Sequence, residues 1–175
     1  VRTSMVPWVA LALAGCEGVL GGPEHDPGDP PTFVAALESV TLLPFDVRLQ
    51  RVADAVGVGT EDAILADLRA ARLELGDHDY GAGVAPDLSW SARRMTSWAR
   101  ALRPVCASEA MRARYPVLRD ALEDFVIAAY GRRATPEDYD AYDATLAEVP
   151  ASLGGDAQYR AMCIALFSST ELVAR

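Results

Sequence analysis

The sequence has no lysine, only three cysteines and two histidines, and no apolar run long enough to serve as a membrane helix. All sixteen basic residues are arginine, which reflects the coding bias of a GC-rich genome and answers no physical requirement. Against them stand 25 acidic residues, for a formal net charge of −9. Nucleic-acid affinity is dominated by an electrostatic term that has the wrong sign here. The same sign excludes a basic patch as an anchor on anionic lipid. A helix spanning a hydrocarbon core needs roughly 20 apolar residues, and the longest such stretch, residues 6–14, is far shorter. No segment alternates convincingly with period 2, so strands are not the organising element. A composition of 51% hydrophobic and 23% charged residues excludes disorder of the whole chain. The 175 residues suffice for one domain of ordinary size.

What is there begins with an address. Arg2 precedes the apolar stretch Val6 to Ala14, which runs into Gly15 and Cys16, and Val1 is read as an alternative start codon. A positive residue, an apolar segment and small residues in that order make a secretory signal. The tetrapeptide Leu13-Ala14-Gly15-Cys16 resembles the lipobox of bacterial lipoproteins. That resemblance implies that residues 1–15 are a signal peptide removed on export and that the Cys16 sulfur carries a diacylglycerol. Glu17, where an aspartate would mark retention at the inner membrane, implies an outer-membrane address. The competing reading is a buried helix in which Cys16 is a small hydrophobe. Residues 16–31 follow with four glycines, four prolines and four acids after Cys16, a composition that forms no packed element and reads as a disordered tether.

Residues 32–175 are expected to form a single all-α domain, a compact bundle of about six to seven short helices. A first helix is expected from Thr32 through Leu42, ended by Pro44. In "FDVRLQRVADAVG" (45–57), Val47, Leu49, Val52 and Val56 share one face and Gly57 is the stop. Thr60 is the expected cap of one helix running to Gly76, with Ile64, Leu65, Leu68 and Leu75 inward. Residues 77–89 read as a loop. Ser91 opens a helix with Met95, Trp98 and Leu102 on one stripe, stopped near Pro104, and a short helix follows Ser108. Pro116 is expected to start the next, with Leu118, Leu122, Phe125, Val126 and Ala129 inward and Gly131 as its end. "TPED" (135–138) combines a threonine cap, proline at the first helical position and acids in the first turn. A last helix covers about 156–169, carrying Tyr159, Cys163, Leu166 and Phe167 inward.

"LPFDVRLQRVADAVGV" (43–58), "AYGRRATPEDYDAYDATLAEV" (129–149) and "YRAMCIALFSSTELVAR" (159–175) resemble helical modules of exported, planctomycete-type, cytochrome-c-associated proteins of unknown function. The shared features are an arginine pair before a capped helix and a closing helix with a serine-rich tail. Ala134 stands where those modules often have a proline-leucine pair, and Leu172-Val173 replace an aromatic. Their haem attachment motif, a cysteine pair followed by histidine, has no counterpart here. The resemblance implies an exported helical accessory domain, no cofactor and no catalytic residue.

The most chemically loaded stretch is "GDHDY" (76–80) with the neighbouring "SWSARR" (89–94). Asp77, His78, Asp79, Tyr80, Trp90 and Arg93 are the candidate ligand contacts. His78 could act as a base oriented by an acid, whereas the bland alternative is a turn whose aspartates accept backbone hydrogen bonds. Asp138, Asp140 and Asp143 fall on a helix without the glycine and closing glutamate of a calcium loop, so no metal site is assigned. Ser168 and Ser169 lack the glycine elbow and a histidine partner of a hydrolase. Export leaves Cys106 and Cys163 as an even pair in an oxidising compartment, where a disulfide is expected over two buried thiols. The functional expectation is a lipid-anchored envelope protein with a non-catalytic binding or accessory domain. It meets the membrane through the lipid on Cys16, has a protein partner in the envelope and does not bind nucleic acid. The alternative is a small envelope enzyme or ligand-binding protein that uses residues 76–94.

Overall fold

The structure, a computed structural model, describes residues 41–174. The proposed signal peptide, Cys16, the tether and nearly all of the helix expected over 32–42 lie outside the described residues.

The described part is all-α, as the periodicity predicts. Residues 41–42 are extended and not the end of a helix: Leu42 donates to the Leu88 carbonyl at 2.8 Å and Leu43 to that of Val173 at 2.9 Å. The chain thus enters the domain stitched between a loop and the C-terminal segment. Pro44 sits immediately before α1 (Phe45–Val56), and its carbonyl accepts from Val47 and Arg48. Gly57 closes α1 at φ 83°, a left-handed conformation that costs glycine nothing. Leu49, Val52 and Val56 are buried as expected, whereas Val47 is 40% exposed and the fully buried Arg48 joins the inner face instead.

The single helix expected over 60–76 is broken. Asp62, not Thr60, is the cap, accepting from the Ile64 N–H. A 3-10 turn at Ala63–Leu65 leads into α2 (Ala66–Ala70), and turns follow to Gly76. After α2 tighter three-residue bonds appear, Arg72 N–H to the Arg69 carbonyl and Gly76 N–H to that of Leu73, and the carbonyls of Glu74 and Leu75 accept from the guanidinium groups of Arg94 and Arg48. Gly76 lies at φ 92°, and a Cβ there would stand 2.2 Å from the Asp87 carbonyl oxygen, so only glycine fits.

Ser91 caps α3 (Ala92–Ala101) through the Arg94 N–H. Its buried face is Arg94, Ser97, Trp98 and Ala101; Met95, expected inward, is 47% exposed. α3 ends at Ala101, near Pro104 as expected, but the proline itself belongs to the next helix. It occupies the first turn of α4 (Arg103–Ala107), where its missing N–H is no loss. Ser108 then caps α5 (Glu109–Arg114). α6 (Leu122–Tyr130) starts later than Pro116, but all five residues of the predicted stripe are buried. α7 (Pro136–Glu148), α8 (Gly155–Phe167) and α9 (Thr170–Val173) complete the fold. The short helix after Ser108 is present as expected, whereas α4 and the Ser169-capped α9 are helices that the sequence reading does not separate from their neighbours.

α1 packs against α6, α4 against α8, and α7 against α8. Phe125 on α6 is the aromatic centre of the core, edge-on to Tyr115, Tyr130 and Phe167 at 5.6, 6.0 and 5.1 Å between ring centroids. Buried polar tips find backbone partners: Trp98 Nε1 donates to the Phe167 carbonyl and the Tyr115 hydroxyl to that of Ala55. Cys106 on α4 and Cys163 on α8 are both fully buried and joined by a disulfide, with their Cα atoms 5.7 Å apart.

Candidate functional sites

The loop that carries the predicted contacts is pinned from below by two arginines. Arg94 donates to the carbonyls of Glu74 and Ser89, to the Ser89 hydroxyl and to the Asp87 carboxylate at 2.7 Å. Those bonds hold the Asp87 carboxyl well below the usual range. Arg48 is fully buried, lying 5.7 Å from the Phe45 ring centroid and 5.3 Å from that of Trp98. It donates to the carbonyls of Leu43 and Leu75 at 2.9 and 2.6 Å, but its Nη1 has no partner. Burial, then repulsion from Arg94, lowers its pKa to about 10 against the opposing pull of Asp77, so it remains charged at neutral pH.

Asp77 is 7% exposed, accepts from Arg72 at 3.3 Å and has its Oδ1 3.0 Å from His78 Nδ1. The imidazole is 42% exposed and lies against the Tyr80 ring, centroids 4.3 Å apart. A buried carboxylate thus stands beside an exposed imidazole. Asp79 behaves as the bland alternative anticipates, accepting from the Ala82 N–H in a 3-10 turn at Tyr80–Ala82. The remaining two candidates make other contacts. Trp90 packs on the core, and the exposed Arg93 pairs with Glu74 at 3.6 Å. The structure brings together Asp77, His78 and Tyr80, and records no contact between these and Trp90 or Arg93. Among the described residues no group of three or more His, Cys, Asp or Glu could hold a metal ion. None of their helices is long and apolar enough to cross a membrane.

A second site escapes the sequence. α6, α7, α8 and α9 enclose an open-mouthed cavity of about 170 Å³. Leu122, Val126 and Met162 form its buried floor, with Tyr130 and Tyr142 as aromatic walls. The Tyr130 hydroxyl donates to the Leu166 carbonyl and accepts from Ser169. Burial, above all, raises its pKa to about 12. At the mouth Arg132 clamps two carboxylates, bonding both oxygens of Asp138 at 2.7 and 2.8 Å and both of Glu171 at 2.6 Å. Asp138 also accepts from the Thr135 N–H and hydroxyl, completing a capping box. The only trace of this site in the sequence is the arginine pair before "TPED", which reads there as helix punctuation. Arg133, its neighbour, serves that role by pairing with Glu123.

Asp143 is likewise structural, bonded through both oxygens to Arg119. Ser169 caps α9, while the buried Ser168 hydroxyl has no partner and no histidine bonded to it.

Comparison with protein families, with curated proteins and with solved structures finds no match to this chain.

Proposed function

We propose that this chain is an exported, lipid-anchored protein of the bacterial envelope whose helical domain binds or organises partners without catalysis. The carrying observation is the Leu13-Ala14-Gly15-Cys16 run with the glycine-, proline- and acid-rich stretch behind it. The disulfide between α4 and α8 supports the reading, because such bonds form and persist in oxidising compartments and are rare in the cytosol. Glu17 directs the lipoprotein to the outer membrane. The resemblance of residues 43–58, 129–149 and 159–175 to exported cytochrome-c-associated modules makes an exported redox protein one partner to look for.

One acyl chain binds a membrane marginally, each buried CH₂ contributing about 0.8 kcal/mol, so retention requires the multiple chains of a processed lipoprotein. Cys16→Ser is expected to leave an uncleaved precursor or to release the protein from the membrane fraction. Mass spectrometry and fractionation read this directly, and unchanged mass and fractionation would sink the proposal.

The alternative, a ligand-binding or catalytic role for residues 76–94, is favoured by one observation, the exposed imidazole of His78 with its Nδ1 3.0 Å from the buried Asp77 carboxylate. Under the leading proposal His78→Ala shifts the denaturation midpoint little and leaves partner capture intact. Loss of a bound ligand or of an activity, with the fold retained, would move the assignment to this loop.

A further inference from the structure

The cavity under α7 has the dimensions and polarity of a ligand site, and its occupant follows from three features. Its volume of about 170 Å³ matches one six-membered ring, since an apolar cavity of roughly 150 Å³ takes benzene. Its floor of Leu122, Val126 and Met162 offers no hydrogen-bond partner to a charged body, so the deep part of the ligand is apolar. Met162 adapts to an aromatic guest better than a branched residue would. The third feature is charge. Two carboxylates and one guanidinium stand at the mouth, leaving a net negative rim that repels an anionic head.

The two carboxylates are not equivalent. Asp138 accepts four bonds, two from Arg132 and two from Thr135, and its side chain is only 20% exposed. Glu171 accepts two, both from Arg132, and is 41% exposed, so it keeps acceptor capacity that faces the opening. An ammonium group there completes the coordination of Glu171 without displacing Arg132.

The roof admits such a ligand. Of the thirteen residues of α7 only Tyr142 is buried, and the capping box, the Arg132 clamp and the Arg119–Asp143 pair hold the helix beside a mouth that is already open.

We infer that this cavity binds a small amine carrying one apolar ring, with the ring on Leu122, Val126 and Met162 and the ammonium at Glu171. The inference is independent of where the protein is anchored and of the His78 loop.

The probe is phenethylamine, titrated into the purified disulfide-bonded protein carrying ¹³C-methyl methionine. The comparison ligand is 3-phenylpropionate, which keeps the ring and reverses the head charge. The expected result is a saturable shift of the Met162 methyl with phenethylamine, at least tenfold weaker with phenylpropionate. Ala141→Trp, at an exposed position on the rim, should abolish the shift while leaving the circular dichroism of the native fold. Glu171→Gln should weaken phenethylamine about tenfold and leave binding of uncharged toluene unchanged. Absence of a saturable Met162 shift would overturn the inference. So would equal affinity for the anion, or undiminished binding by the folded Ala141→Trp variant.

Discussion

Arg48 shows how much one side chain decides in this protein. Its guanidinium crosses the core from α1 to the turn after α2, so its two bonds tie the entry segment at Leu43 to the Leu75 carbonyl. A buried, incompletely paired cation is costly, yet removing it strands two buried carbonyls at about 1–3 kcal/mol each. The second effect is partly offset by relief of the first. Arg48→Leu is therefore expected to destabilise by about 2 kcal/mol, read as a lower urea midpoint, with faster proteolysis in the loop 76–90. Arg48→Lys does not rescue, because an ammonium lacks the planar fork that reaches both acceptors. An unchanged midpoint in either variant would contradict this account.

At the scale of elements, the disulfide links α4 and α8 across a sequence separation of 57 residues. Closing a loop of that length removes about 4 kcal/mol of chain entropy from the unfolded state, a large share of a typical net stability of about 5–15 kcal/mol. Reduction, or replacement of Cys106 and Cys163 by alanine, should lower the denaturant midpoint by the equivalent of that figure without changing the helix content. A midpoint insensitive to reductant would show the bond to be absent or energetically idle. The legibility of elements follows their chemistry. "TPED" and the Leu118–Ala129 stripe read correctly because cap, proline and apolar spacing act within a few residues. The bonds that tie down the segment after α2 are not legible, because the guanidinium groups that take the Glu74 and Leu75 carbonyls lie 20 and 27 positions away. The expectation that Met95 faces inward fails for a related reason. A rule that counts arginine as surface turns the buried face of α3 away from Arg94, the residue that anchors it.

The whole molecule shares one electrostatic habit, arginine bonded to carboxylate, and its acid stability follows. Arg94 holds Asp87, Arg132 holds Asp138, Arg119 holds Asp143 and Arg133 holds Glu123 below their ordinary values of 3.8 for aspartate and 4.5 for glutamate. Each carboxylate binds its proton less tightly folded than unfolded. The stability they contribute is therefore fully present above the unfolded values and is lost as pH falls through the lower folded ones. Most of these groups are exposed, so each contributes little alone. The melting temperature is expected to be flat from pH 8 to 5 and to fall below about pH 4.5. Asp138→Asn should make that acid limb shallower, and an acid limb identical to wild type would refute the role of the Arg132 clamp.

The all-α class, the caps at Ser91, Ser108 and Thr135, the apolar stripe of α6 and a cysteine pair able to meet are all legible in the amino-acid order alone. All of these depend on period, on capping chemistry or on a side chain's preference for burial, properties carried by short stretches of chain. The tertiary structure decided which polar residues lie inside, where the helix after Asp62 breaks, and that Tyr130, Met162 and Glu171 surround one cavity. Those three residues are separated by up to 41 positions and share no local pattern. Only the packing of α6, α7, α8 and α9 brings them together, because a cavity is a property of the gaps between helices and not of any one of them.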